Sequence, residues 1–202
     1  MNLKGKRDYL NMMINRWKRI SIIMPLLIIY VSLDQFTKYL AKKMLVPGAV
    51  IRFLGDTVRL QYAENKGIYL SLGSNLSDET RFWLFTVAVS VLLAFMFLFL
   101  IFSKKMSSLP TIALTLVLSG GISNLIDRIF HQGVVIDMLN FGIGNLRTGI
   151  LNLADLAVTF GGGLIIYFLL FKDDMNHSVS SALLPENKNV PSDKEDEDFD
   201  EI

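Results

Sequence analysis

From Phe82 to Phe102 the chain carries almost nothing but apolar side chains. A run of about 20 such residues is what a helix needs to cross a hydrocarbon core. Ile20–Leu40, Thr111–Phe130 and Leu151–Phe171 share that character. Ile20–Leu40 alone would be about 31 Å long as a helix. In lipid the backbone must satisfy its own polar groups, and a helix does so within one segment. The expected fold class is therefore membrane α-helical, with four transmembrane helices over about 20–40, 82–102, 111–130 and 151–171. Composition agrees: of 202 residues, 51% are hydrophobic and 19% charged, against about 25% charged in soluble domains.

The rest of the chain divides around these runs. Residues 1–19 form a basic N-terminus, with Lys4, Lys6, Arg7, Arg16, Lys18 and Arg19 against one acid, Asp8. A basic start before an apolar stretch can be a cleaved signal peptide. Here no small-residue cleavage site follows, and apolar character resumes at Tyr39, so a retained first helix with a polar last turn is expected. Residues 42–78 are long enough for a small extramembrane β subdomain. Val50–Tyr62 is rich in β-branched and aromatic residues around a Gly55-Asp56 turn signal, which reads as a hairpin. His131–Gly149 reads as a glycine-containing loop with a short β-like run, Val134–Ile136. From Lys172 the chain turns polar and ends KEDEDFDEI, a composition that predicts a disordered tail over 172–202. Four spans put both termini on one side. The basic residues before the first helix, with Lys104, Lys105 and Lys172, assign that side to the cytoplasm. Lys42, Lys43, Arg52, Arg59 and Lys66 then lie on the outside.

Several chemistries are excluded early. There is no cysteine, hence no disulfide, thiolate metal site or cysteine nucleophile. Only His131 and His177 occur, and no HExxH, so a zinc protease of that type is ruled out. A net charge of +1 provides no basic field for a nucleic-acid partner.

What remains is Gly120–Asp155, which begins in one apolar run and ends in another yet holds Asp127, Asp137 and Asp155. Ionisable side chains at membrane depth are costly and point to function. Gly120, Asn124 and Asp127 share one helical face, with Arg128 four residues beyond Asn124. An Asp127–Arg128 pair could be structural, and Arg128 could instead hold a phosphate or a carbonyl. Asn152 and Asp155 share a face about one turn inside the fourth run. Asp155 could be a helix-terminal acid favoured by the macrodipole, and Asp137 could be a turn residue. Two carboxylates close together in a low-dielectric site do something neither does alone. They share one proton, so that one is a base and the other an acid. That suits activation of water and protonation of a leaving amide nitrogen. Asp34 and Lys38 stand i, i+4 and could simply neutralise one another. Asn65 falls in a turn. A transporter or proton channel would use buried acids too, but the second run has none, so no path through the membrane is marked. A non-catalytic scaffold is the third reading.

Taken together these motifs resemble the bacterial lipoprotein signal peptidases, the signal peptidase II family. The family's D-x-x-T-K stands as Asp34–Lys38, and its N-x-G as Asn65-Lys-Gly67. Its G-x-x-x-N-L-x-D-R stands as Gly120–Arg128, its V-x-D as Val135-Ile-Asp137 and its N-x-A-D as Asn152-Leu-Ala-Asp155. The resemblance covers residues 20–171. It implies a small extracytoplasmic β-cradle and a periplasmic-side amphipathic segment near Gly73–Arg81. It further implies a monomeric multi-pass enzyme of the bacterial inner membrane, in contact with membrane lipid, with its active site toward the outer face. The implied activity is aspartyl endopeptidase action on prolipoproteins, cutting before a diacylglyceryl-modified cysteine. The implied catalytic pair is Asp137 and Asp155. Asp34, Lys38, Asn65, Gly67, Gly120, Asn124, Asp127, Arg128 and Asn152 are implied as support or substrate contacts. No metal or organic cofactor is expected. The chain departs from the family pattern at Ile68-Tyr69-Leu70 and at Asn140, where a second acid is common.

Overall fold

The computed structural model describes residues 3–68, 71–103 and 106–183. Four helices among them are long and apolar enough to cross a membrane. The first, α1, is Leu3–Met44. It starts well before the expected Ile20, because Lys6–Arg19 contains no proline or glycine and extending a nucleated helix is cheap. Pro25 lies inside α1 without ending it, as membrane helices tolerate. The second span starts earlier than Phe82 for a local reason. Ser77 is the N-cap of α2 (Asp78–Arg81), its hydroxyl accepting from the Thr80 N–H, and Asp78 and Glu79 suit the positive helix end. A π-helical turn, Phe82–Ala88, joins α2 to α3 (Val89–Phe102), so Asp78–Phe102 is one continuous span. The amphipathic segment expected near Gly73–Arg81 is thus a turn that feeds straight into this span.

The third span, α4 (Ser108–Phe130), is the most enclosed, with 44% of its apolar window buried against 11–22% for the others. Thr111, Thr115, Ser119, Ser123 and Asp127, each four residues from the next, are all buried. Thr111, Thr115 and Ser119 return their hydroxyls to carbonyls of the chain one turn earlier. The stripe is therefore small and internally satisfied, which lets neighbouring helices approach. Ile23, Leu93, Leu100 and Leu118 form the apolar contact of α1, α3 and α4. The fourth span opens α5 (Leu153–Leu183). This helix runs past Phe171, where the apolar run ends and a disordered tail was expected to begin. Residues 184–202 of that tail lie outside the described residues, as do Tyr69-Leu70 and Lys104-Lys105.

At one end of the helices sits a four-stranded antiparallel sheet in the order β1-β2-β3-β4. β1 (Ile51–Phe53) and β2 (Val58–Asn65) form the expected hairpin. Leu54, Gly55 and Asp56 turn it with three consecutive positive φ values. The expected loop 131–149 is different in kind. It contains β3 (Val135–Ile143) and β4 (Leu146–Arg147). β3 pairs with β2 from Asn65↔Val135 to Val58↔Phe141. Its apolar alternation is broken by two buried polar residues, Asp137 and Asn140, which hid the strand in the sequence. Asn140 anchors the β3–β4 turn by donating to the Thr148 carbonyl at 2.6 Å and accepting from Arg147 Nε at 2.5 Å.

Candidate active site

Asp137 leaves β3 and Asp155 leaves the first turn of α5, and one asparagine stands between them. Asn152 Nδ2 donates to Asp137 Oδ1 at 2.7 Å. The Asn152 Oδ1 accepts from the Asp155 N–H at 2.8 Å, and the Asn152 N–H donates to Asp155 Oδ2 at 3.3 Å. This reciprocal pair is a capping box with Asn as N-cap and Asp as the third helical residue. Asp155 is therefore at the helix N-terminus, not a turn inside it. Its other oxygen, Oδ1, accepts from Asn124 Nδ2 at 3.0 Å. Asp137 Oδ2 accepts from Asn65 Nδ2 at 3.0 Å. Both carboxylates are buried, Asp137 at 2% and Asp155 at 7% exposure. Burial, and second the neighbouring Asp155 charge, pushes the Asp137 carboxyl up to about 7, against the opposing hydrogen bonds of Asn65 and Asn152.

Behind this pair lies an ionic cluster. Lys38 Nζ has three donors and three acceptors: Asp34 Oδ2 at 2.6 Å, Asp127 Oδ2 at 2.8 Å and Asn124 Oδ1 at 2.8 Å. That last bond fixes which end of the Asn124 amide faces Asp155. Asp34 Oδ1 reaches across to the Ala154 N–H at 2.8 Å, so α1 also caps α5. Removing Lys38 would leave two buried carboxylates without their cation, at a cost of about 3–5 kcal/mol.

The sequence reading paired Asp127 with Arg128, and the structure separates them. Asp127 accepts from Lys38, from Gln35 Nε2 at 2.9 Å and from the Ile136 N–H at 3.1 Å. Arg128 turns to the other side and donates to the Gly67 carbonyl at 2.9 Å. Consecutive helical residues point about 100° apart, so one of the two had to leave the shared face. Arg128 touches neither Asp137 nor Asp155 by any hydrogen bond or ion pair among the described residues. Gly67 in turn donates its N–H to Asn65 Oδ1 at 2.9 Å, so Arg128 steadies the turn that presents Asn65. A side chain at Gly67 would run into the backbone of Ser71 and Leu72. One at Gly120 would strike the Ala154 carbonyl, inside the cap of α5. All eleven singled-out residues are at this end of the helices. Gln35 and Ser123 were missed. Ser123 donates to Asp34 Oδ2 at 2.7 Å, and Gln35 Nε2 reaches Ser123 and Asp127. The i, i+4 spacing of Ser123 to Asp127 was the available signal.

Beside the cluster a cavity of about 850 Å³ opens between β2, the Asp78–Ala88 segment and the end of α4. Tyr62, Glu64, Arg81, Phe85 and Arg128 are among its walls. It is large enough for an extended peptide segment of a few residues. The chemistry available next to it is that of two buried carboxylates held by amide donors. Among the described residues no group of three or more metal-ligating side chains of the His/Cys/Asp/Glu set is assembled.

Residues 26–171 match the family model described as signal peptidase (SPase) II. A protein of Borrelia hermsii named lipoprotein signal peptidase is 38% identical over 148 residues, which is 71% of this chain and 86% of that relative. One of the same name from Caldanaerobacter subterraneus is 32% identical over 142 residues, 70% of this chain and 91% of the relative. A solved structure described as a bacterial membrane enzyme superposes with a TM-score of 0.67 at 27% identity, over 78% of this chain and 92% of its own. The matched region begins within the first span and ends with the fourth, so it takes in every element that holds Asp137 and Asp155, and the chain belongs to the signal peptidase II family.

Proposed function

We propose that this chain is a membrane aspartyl endopeptidase that removes signal peptides from bacterial prolipoproteins, with Asp137 and Asp155 as its catalytic pair. The observation that carries the reading is Asn152, whose one side chain hydrogen-bonds to Asp137 and caps the helix turn of Asp155. Two carboxylates tied to one amide are held in a common site, and in a buried site they retain one proton between them. The ionised carboxylate takes a proton from water as its oxygen attacks the scissile carbonyl carbon. The protonated one donates to the carbonyl oxygen. On collapse of the tetrahedral diol, the C–N bond breaks, the proton taken from water passes to the leaving nitrogen, and the other carboxylate takes a proton back from a diol hydroxyl as the C=O re-forms, restoring the pair. Asn65, Asn124 and Asn152 hold the two acids. Arg128 lines the 850 Å³ cavity, as does Ile136, the residue before Asp137, and Arg128 also holds the Gly67 turn. The peptide approaches the acids from this side. A diacylglyceryl-modified cysteine keeps the cleavage point at the bilayer, which is why the pair stands at the end of spanning helices. The site faces outward and both termini face the cytoplasm.

Asp137→Asn and Asp155→Asn, made separately, test this. Each keeps the shape of the side chain and removes its proton chemistry. Each is expected to lower prolipoprotein cleavage by at least about a hundredfold while the protein still inserts and accumulates. Cleavage by either variant at the unmodified rate would remove the pair from the mechanism.

A further inference from the structure

At the end of the helices away from Asp137 and Asp155, α1 carries Arg16, Lys18 and Arg19. The nearest acids on the same helix are Asp8 and Asp34, so residues 9–33 hold these three cations and no carboxylate. A basic stretch before a first span needs no ligand if its side chains simply stand in water. Two of these do not. Arg16 lies over the Phe102 ring of α3, its guanidinium carbon 4.7 Å from the ring centre. Arg19 is three residues further on and Ile23 seven, which puts all three on one face of α1. Ile23 is enclosed by Leu93, Leu100 and Leu118, so this is the face packed on α3 and α4.

The Arg19 side chain is carried into that contact, and its Nε and Nη1 are shut off from the surface without a hydrogen-bond partner. Among the described residues, no ion pair or side-chain hydrogen bond is made by Arg16, Lys18 or Arg19. An enclosed guanidinium without an acceptor is costly, and its planar donors suit a phosphate. The level in the bilayer names the source of that phosphate. Trp17, between the two arginines, is exposed, and so are Ile14, Met24 and Ile28. An exposed tryptophan at the start of a lipid-facing apolar surface marks the membrane–water boundary. The acceptor found at that depth is the phosphate of a phospholipid headgroup. Three cations with no acid beside them favour a lipid of net negative charge over a zwitterionic one.

We propose that Arg16 and Arg19, with Lys18 at the rim, form a headgroup site for an anionic phospholipid at the α1–α3 contact, in the leaflet opposite the acids. The bound phosphate supplies the acceptor that Arg19 lacks. It ties α1 to α3 at one end of the helix whose other end supplies Asp34 and Lys38. The site stands independently of the peptidase reading.

The test is lipid binding and thermal melting of the full-length protein in one nonionic detergent at low salt. The added probes are phosphatidylglycerol, phosphatidylcholine of the same acyl chains, and inorganic phosphate. Phosphatidylglycerol is expected to raise the melting temperature more than phosphatidylcholine, and high salt should shrink the difference. Arg19→Leu and Arg16→Gln should each weaken phosphatidylglycerol binding about fivefold. Arg52→Gln, an equal loss of charge at an exposed position on the sheet, should leave it unchanged. Without lipid, Arg19→Leu should melt no lower than the wild type, because it removes an enclosed cation that has no acceptor. A lower melting temperature there would mean that the chain itself supplies the acceptor, and would overturn the site. Equal binding of the two lipids would overturn it too, as would binding by Arg19→Leu and Arg16→Gln that matches Arg52→Gln. Stabilisation by inorganic phosphate equal to that by phosphatidylglycerol would make this a site for a free anion and end the lipid assignment.

Discussion

Asn65 shows how a single amide sets the working range of the site. Its Oδ1 is committed to the Gly67 N–H, so its Nδ2 necessarily points a donor at Asp137 Oδ2. That donor favours the ionised carboxylate, against the burial that pushes Asp137 up to about 7. A pair sharing one proton stops working when the proton is lost, so kcat/KM should fall above an apparent value near 7 that belongs to the pair. Asn65→Ala removes a bond that held the proton off. The alkaline limb should then move to higher pH, by about one unit for a lost hydrogen bond to a charged group. A pH profile of cleavage with one lipopeptide checks it, and a limb that moved to lower pH would contradict the assigned direction. The same residue illustrates what a motif conveys. N-x-G was readable as a turn, and the turn is there. That its amide nitrogen, which also reaches the Ile68 carbonyl, faces a carboxylate 72 positions along the chain depends on the β2–β3 register, which no local pattern encodes.

At the scale of elements, the site depends on how closely α4 and α5 approach. Gly120 faces the Ala154 carbonyl with no room for a side chain, and Gly161 faces the Ala113 carbonyl farther along. Asn124 is one turn beyond Gly120, and Asp155 directly follows Ala154, so this contact sets the Asn124–Asp155 bond of 3.0 Å. Gly120→Val should force the helices apart, lowering the melting temperature by an overpacking cost of about 1–3 kcal/mol and reducing cleavage more than tenfold. Gly163→Ala, where a Cβ meets nothing within 4 Å, should leave both near wild type. Equal behaviour of the two variants would show that helix spacing does not govern the acids. The four spans were legible because lipid demands long apolar runs. The β3 strand was not, because the residues that interrupt its pattern are the ones the site needs. The capping box was within reach: Asn152 and Asp155 are three apart, the spacing a reciprocal cap requires. The proximity of an apolar run to Leu151 pushed the expected helix start two residues early and placed Asp155 too deep.

For the whole molecule, the position of the site relative to the bilayer follows from α1. Trp17 and Tyr39 are both exposed, at 64% and 58%. They are 22 residues apart on one helix, about 33 Å at 1.5 Å per residue, which matches the thickness of a hydrocarbon core. Aromatic rings of this kind sit at the two membrane–water boundaries. Lys38 adjoins Tyr39, so the ionic cluster stands just inside one boundary, and the sheet beyond Met44 stands just outside it. Arg16, Lys18 and Arg19 stand around the other. Basic residues near a first span favour the cytoplasm, although the sheet side carries basic residues too, of which Arg52 and Arg59 both face Asp56. Substrate chemistry adds an independent argument. On the proposed activity, the lipid-modified cysteine that follows a signal peptide lies at the far side of the membrane, where only acids on that side would reach it. The absence of cysteine from the chain makes this directly measurable. Arg52→Cys places a single thiol on the sheet, at a side chain 65% exposed. Ser107→Cys places one at the opposite end, at the N-cap of α4, where the native hydroxyl makes no cap bond. A membrane-impermeant maleimide should label Arg52→Cys in intact cells and Ser107→Cys only after permeabilisation. The reverse pattern would turn the acids toward the cytoplasm, out of reach of an exported lipoprotein, and the outward-facing site would have to be abandoned.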